Sequence, residues 1–389
     1  MEEDYIFITG MVRSGTTLIS RAIDAHSQAA TPPDPYFAFF REFRNEIYKM
    51  YQEDFADDSA LDDNFFNANL AAKKEIRNNN LDRKINKQSL VKIKEKLCNF
   101  AEPNSPLVIP YINEIEADTY KELFIQLMDI VKKSYGSEDT NYIGFKQTWV
   151  EEFITPLINT FANMKIVQII RDPRAVIASR TKTTHLSHNY PLLFMIKHWR
   201  KSFAYALYNN YHYEDNFKLI RYEDLTTQPE HTISEICNFI GLDYEEEMIN
   251  PNYYRDGKDN SWTDNSAYDT ASKITAKFKD KWKEILSSKE LQYVEDLCQI
   301  EMNKLGYERE TELRLRESIF SQVQFKDELD TSWIKKEETK ESANLENIKN
   351  ELLRHYIYQD QNNEKLDGDL LEMAFIIPEF LKLINKVTF

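Results

Sequence analysis

One stretch near the start constrains the fold of this chain more than any other: Tyr5-Ile6-Phe7-Ile8-Thr9-Gly10-Met11-Val12-Arg13-Ser14-Gly15-Thr16-Thr17-Leu18. Its first part is a short apolar run rich in β-branched and aromatic residues, which predicts a buried strand. Gly10 and Gly15 bracket a tight loop. Thr16 and Thr17 then open a run to Ala25 in which Leu18, Ile19, Ala22 and Ile23 recur at helical spacing. Strand, glycine loop and helix together present backbone N–H groups and a helix N-terminus to a phosphate. An ordinary βα turn is the plain alternative, because short glycine motifs recur by chance. The chain holds only 8 glycines in 389 residues, which gives the two in this loop more weight.

The loop departs from a Walker A loop in an informative way. Walker A reads G-x-x-x-x-G-K-[ST], with the lysine on the β/γ-phosphates and the hydroxyl on Mg²⁺. Gly10 and Gly15 have that spacing, but Thr16 stands in the lysine position, and the nearby cation is Arg13 inside the loop. The stretch resembles the 5′-phosphosulfate loop of sulfotransferases that use 3′-phosphoadenosine 5′-phosphosulfate (PAPS). Arg13-Ser14-Gly15-Thr16-Thr17-Leu18, followed by Asp24-Ala25-His26, is most similar to the tyrosylprotein sulfotransferases.

Further along, Tyr142–Lys146, Lys165–Ile170 and Phe217–Tyr222 read as strands separated by helical segments. That alternation predicts an α/β fold, a parallel sheet flanked by helices. Sites in such sheets lie at the carboxyl ends of the strands. The polar residues there are the Gly10–Thr17 loop, Lys146, the pair Arg171-Asp172, and Tyr222-Glu223-Asp224. Asp172 is a plausible N-cap, and Pro173 suits the first helical turn. Arg171 sits at the strand end, and Ser179 eight residues later is about two turns along. A charged fork plus a hydroxyl suits an additional phosphate, with a local Arg171–Asp172 ion pair as the plain reading. This stretch resembles the 3′-phosphate motif of sulfotransferases, in which the arginine and the serine hold the 3′-phosphate of PAPS. Tyr222 in Ile220-Arg221-Tyr222-Glu223-Asp224-Leu225, and Lys281-Trp282 preceded by a polar loop containing Ser266, extend the resemblance to about residue 307.

The resemblance implies a P-loop-NTPase-like sulfotransferase fold and assigns roles. Arg13, Ser14, Gly15, Thr16 and Thr17 would hold the 5′-phosphate and sulfuryl oxygens. Arg171, Ser179, Tyr222, Ser266 and Lys281 would complete the cofactor site. Lys146 matches a catalytic lysine of the tyrosylprotein enzymes; a surface lysine at a strand end is the alternative. Asp34, in the stiff segment Thr31-Pro32-Pro33-Asp34-Pro35, falls at the position of those enzymes' glutamate base. Aspartate shortens the reach by roughly one bond, in a setting where ~1 Å can cost 10²-fold. His185 and His188 are rival bases, since the simple cytosolic sulfotransferases use histidine. The cofactor implied is PAPS, the product adenosine 3′,5′-bisphosphate, with no metal.

Composition narrows the rest. A hydrophobic content of 42% supports a substantial core, and a net charge of −16 argues against nonspecific nucleic-acid binding. No run approaches the roughly 18 apolar residues of a membrane span. Glu2, Glu3 and Asp4 do not suit a secretory signal. Cys98, Cys237 and Cys298 are too far apart for a metal cluster or disulfide framework, which points to free thiols and a cytoplasmic setting. Residues 1–308 read as one catalytic domain with a helical insertion over about 53–104, and 309–389 as a helical C-terminal extension. The aromatic residues Phe39, Phe40, Phe43 and Tyr48 read as core rather than pocket. Leu107–Tyr111 reads as a short strand or an extended pocket wall, and about 289–304 as one helix. In the extension, Leu345, Ile348, Leu352 and Tyr356 share one helical face, as do Leu370, Ala374, Ile377 and Leu381, with Pro378 kinking or cutting the second helix. These faces are expected to pack on the catalytic domain, with a dimer or docking module as the alternative.

The expected reaction moves a sulfuryl group to a hydroxyl of a small-molecule, carbohydrate, lipid or peptide acceptor; a homo-oligomer is left open. A P-loop kinase with a degenerate loop, or a nucleotide-fold interaction module, are the competing readings.

Overall fold

The protein, represented by a computed structural model, is described over residues 4–51, 69–179, 192–262, 274–321, 339–359 and 366–388. The chain begins with β1 (Asp4–Thr9), α1 (Thr16–Asp24), β2 (Ala29–Ala30) and α2 (Phe37–Tyr48). Helices α3 (Leu70–Asn78), α4 (Lys87–Asn104), α5 (Ile109–Ile112) and α6 (Tyr120–Tyr135) lead to β3 (Tyr142–Lys146). Then come α7 (Ile154–Thr160), β4 (Lys165–Ile170), α8 (Pro173–Ala178), α9 (Leu192–His212) and β5 (Phe217–Arg221). The remainder is helical: α10 (Tyr222–Thr227), α11 (Pro229–Ile240), α12 (Trp282–Ile285), α13 (Ser288–Leu297) and α14 (Gln299–Lys304). It closes with α15 (Leu315–Ser321), α16 (Thr339–Gln359), α17 (Gly368–Phe375) and α18 (Phe380–Ile384). Among the described residues no helix is long and apolar enough to cross a membrane. The described residues pack as two compact units that interleave along the chain.

The first unit comprises the described residues within Met1–Asp57, Ala71–Ile170 and Tyr213–Ala276. It holds one parallel sheet in the order β2-β3-β1-β4-β5. Alternation along β1 sorts the two faces. Ile6 and Ile8 join Val167, Ile169 and Ile220 under α1 and α11 in an aliphatic core. Tyr5 and Phe7 point the other way, where Phe7 meets Phe145 at 5.2 Å and Phe40 at 5.7 Å. Phe39, Phe40 and Phe43 of α2 are all at most 1% exposed. A fully buried phenylalanine contributes about 1.5–3 kcal/mol, so this cluster is core, as expected. The strands β3 and β4 match their sequence readings, and β5 ends one residue early. The two-residue edge strand β2 was not foreseen. The expected strand at Leu107–Tyr111 is helical: Pro106–Val108 forms a 3₁₀ turn running into α5. Pro106 and Pro110 each occupy an early helical position, where a missing N–H costs nothing.

Because β3 lies on one side of β1 and β4 on the other, the strand order reverses at the carboxyl end of β1. That is the crevice where open α/β sheets bind ligands.

The second unit comprises the described residues within Arg171–His212 and Lys277–Phe389, with Asn69 and Leu70. The expected helix over 289–304 is two helices, with Cys298 between α13 and α14. Ser287 and Glu290 close a capping box at the start of α13. The region beyond 308 is helical where described, and α17 and α18 are separate pieces around Pro378. On α16, however, Leu345 and Tyr356 are exposed, while Asn347, Glu351, Arg354 and Ile357 are buried. Glu351 pairs with Arg200 of α9 and Arg354 with Glu301 of α14. Of the apolar stripe expected to pack inward, Leu345 and Tyr356 face out and Ile348 and Leu352 are only partly buried, while ion pairs fix the opposite face.

Candidate active site

The loop after β1 is shaped by three residues of positive φ: Gly10 at 142°, Arg13 at 71° and Gly15 at 100°. A Cβ on Gly10 would lie 2.4 Å from the carbonyl oxygen of Ile169 in the neighbouring strand. A Cβ on Gly15 would lie 2.5 Å from Cδ2 of Tyr222, so the tyrosine ring rests against the loop. Gly15 is the N-cap of α1 and supplies no side-chain cap. The first N–H groups of a helix have no intrahelical partner, and the helix dipole adds positive potential there. The hydroxyl of Ser14 is buried and has no hydrogen-bond partner among the described residues. A buried hydroxyl beside an uncapped helix N-terminus fits the oxygen atoms of a phosphate. The loop thus brings together Ser14, Gly15, Thr16, Thr17 and Tyr222, with Arg13 half-buried in it.

Asp34 and Lys146 meet at the carboxyl end of β3. A bridge between Pro33 and Lys146 extends the sheet past β2. The backbone N–H of Asp34 donates to the Lys146 carbonyl at 2.6 Å, and that of Lys146 to Pro32 at 3.0 Å. Asp34 itself has φ 48°, a left-handed conformation that short polar side chains tolerate. Its carboxylate pairs through Oδ2 with the Lys146 ammonium. Oδ1 accepts from Gln147 Nε2 at 3.2 Å and from Thr148 N at 3.4 Å. The Asp34 side chain is 24% exposed and that of Lys146 only 4%, so the lysine is no surface residue. The Gln147–Trp149 segment also ties this pair to the glycine loop. Thr9 Oγ1 donates to the Gln147 carbonyl at 2.8 Å, and Trp149 N to the Gly10 carbonyl at 3.4 Å.

In the second unit, Asp172 caps α8 by accepting from Arg174 N at 2.9 Å, with Pro173 as the first helical residue. The helix is one and a half turns rather than two: Ser179 is its C-cap, and its hydroxyl donates to the Val176 carbonyl at 2.8 Å. Arg171 immediately precedes the N-cap, and its carbonyl accepts from Trp199 Nε1 at 2.8 Å. Lys281 is the N-cap of α12, whose Trp282 packs against Ala175 and Ala178 of α8. Arg171, Ser179 and Lys281 therefore belong to one local framework. Ser266, His185 and His188 lie outside the described residues.

Two contributors were not singled out from sequence. Gln147 sits just past β3, where the carboxyl-end rule could have flagged it. Arg174 lies inside the Arg171–Ser179 stretch and drew no reading of its own, yet it is only 5% exposed. Burial opposes its charge, but Asp172 and Glu295 hold the guanidinium above its ordinary range. Burial likewise opposes ionised Glu295. The Thr311 hydroxyl, the Glu310 and Thr311 N–H groups and Arg174 nevertheless hold that carboxyl below its ordinary range.

A family model described as "Sulfotransferase family" matches residues 4–246. Carbohydrate sulfotransferase 3 of Tetronarce californica is 27% identical over 174 residues, covering 40% of this chain and 39% of that protein. Carbohydrate sulfotransferase 2 of Homo sapiens is 22% identical over 199 residues, covering 40% and 37%. The chain spans about two-fifths of the length of these curated relatives. Among solved structures, the sulfotransferase domain from the curacin biosynthetic pathway aligns at TM-score 0.47 and 18% identity, covering 79% of this chain and 99% of that one.

Proposed function

The chain belongs to the sulfotransferase family, and from that premise we propose that it transfers a sulfuryl group from PAPS to an acceptor hydroxyl. The observation that carries this reading is the junction of the glycine loop with the Asp34–Lys146 pair through Gln147–Trp149. An anion cradle and a carboxylate–ammonium pair side by side are what an in-line group transfer requires: charge stabilisation, positioning and a base.

When bound, PAPS supplies an activated sulfuryl group on a phosphosulfate anhydride. Ser14, Thr16, Thr17 and the N–H groups opening α1 hold its 5′-phosphate. Arg171, Ser179, Tyr222 and Lys281 serve the 3′-phosphate and nucleoside end. Asp34 takes the acceptor proton. A carboxylate offers about four lone-pair sites, and three donors reach Asp34, which leaves one for an acceptor O–H. As that proton arrives, the carboxylate loses its charge and its hold on Lys146. The ammonium then stabilises the charge developing on the leaving oxygens together with Arg13. The acceptor class to try first is a carbohydrate hydroxyl, since the matched relatives are named for carbohydrates.

The test is calorimetric titration with adenosine 3′,5′-bisphosphate and with ADP, in chelator and again with Mg²⁺. The bisphosphate should bind at least about tenfold tighter, and Arg171→Ala should remove most of that preference, because a charged hydrogen bond contributes ~1.5–3 kcal/mol. Equal binding, or ADP binding that appears only with Mg²⁺, would favour the kinase reading instead.

A further inference from the structure

Arg174 lies two residues past the N-cap of α8, and the mechanism above leaves it without a role. Its Nε donates to both carboxylate oxygens of Asp172, at 3.0 and 3.2 Å, and its Nη2 to Asp172 Oδ2 at 2.7 Å. Its Nη1 donates to Glu295 Oε1 at 2.7 Å and to the Glu308 carbonyl at 2.8 Å. The guanidinium carbon Cζ lies over the ring of Trp282, 4.1 Å from its centroid. One buried side chain therefore joins the N-cap of α8, the ring of α12, the side of α13 and the chain at Glu308.

The helix it organises is too short to hold its own position. Isolated helices below about 12–15 residues are marginal in water, and α8 has six. Arg171 and Ser179 flank that helix, so wherever α8 sits, they sit. Lys281 precedes the tryptophan on which Arg174 stacks. The fork geometry matters as much as the charge, because only guanidinium combines bidentate carboxylate binding with a flat stacking face.

We infer that Arg174 is a positioning residue: it sets the spacing of Arg171, Ser179 and Lys281 for a ligand phosphate and touches no substrate itself. The inference rests on the cofactor reading given above, which places those three residues at the 3′-phosphate and nucleoside end. A purely stabilising role is the competing explanation, since buried ion clusters also hold folds together. The two differ in what they do to a ligand that lacks the 3′-phosphate.

The experiment measures adenosine 3′,5′-bisphosphate and adenosine 5′-monophosphate binding by calorimetry to wild type, Arg174→Lys and Trp282→Leu, with thermal unfolding of each. Arg174→Lys keeps the charge opposite Asp172 and Glu295 but loses the fork and the stack. Trp282→Leu removes the ring beneath Arg174 while leaving its pairs with Asp172 and Glu295 in place, and serves if the lysine variant fails to fold. Both should lower the preference for the bisphosphate by about tenfold, the size of one charged hydrogen bond. Monophosphate binding should stay within about twofold of wild type. Two results would overturn the inference while leaving the cofactor reading intact: an undiminished preference in a folded variant, or parallel loss of both nucleotides. A wild-type protein that binds the two nucleotides equally would overturn both.

Discussion

Asp34 is held by its backbone as firmly as by its side chain. The Pro33–Lys146 bridge, the hydrogen bond from Asp34 N and the left-handed φ leave its carboxylate little choice of direction. The Pro33–Lys146 bridge brings the backbone of this short side chain to the strand end. Asp34→Asn should lower kcat by about 10²–10⁴ while adenosine 3′,5′-bisphosphate affinity stays close to wild type. The amide keeps shape and one acceptor oxygen but cannot take a proton. A variant with wild-type turnover, or one that loses nucleotide binding and stability together, would remove Asp34 from the role of base. The pairing with Lys146 was only half legible from sequence. Both residues stood out, one from a proline-rich segment and one from a strand end. Their meeting depends on register between segments about 112 residues apart, which local pattern does not encode.

Helix α16 shows how a correct pattern leads to a wrong orientation. Leu345, Ile348, Leu352 and Tyr356 do share a face, and periodicity alone would turn it inward. Burial instead takes Asn347, Glu351 and Arg354, because the surface they meet already carries Arg200, Lys197 and Glu301. Burial works against the charge on Glu351, but Arg200 and its hydrogen bonds hold that carboxyl below its ordinary range. Breaking a buried pair strands one charge, whereas replacing both partners with apolar side chains does not. Glu351→Gln should therefore cost about 3–5 kcal/mol in denaturant unfolding, and the double variant Arg200→Met/Glu351→Leu markedly less. Equal losses in the two would mean that α16 is held chiefly by its apolar contacts.

At the scale of the whole molecule, the sheet was the most legible feature. Apolar runs ending in polar residues marked β1, β3, β4 and β5 nearly to the residue, and the glycine loop, Lys146 and Tyr222 all lie at carboxyl ends of strands. The division into units was not legible. The contacts that build the second unit, Arg174 with Glu295 and Arg200 with Glu351, join residues 121 and 151 positions apart, a pairing that local pattern does not encode. The short edge strand β2 escaped for the opposite reason, since two alanines carry no strand signal.

Sulfuryl transfer can be followed with labelled donors. The protein should be incubated with [³⁵S]PAPS and a panel of carbohydrate, lipid, peptide and small hydroxyl acceptors in chelator, with [γ-³²P]ATP and Mg²⁺ in parallel. ³⁵S should appear in an acceptor with one adenosine 3′,5′-bisphosphate released per transfer, and should be nearly absent with Asp34→Asn. Transfer of ³²P from ATP with none of ³⁵S from PAPS would contradict sulfuryl transfer.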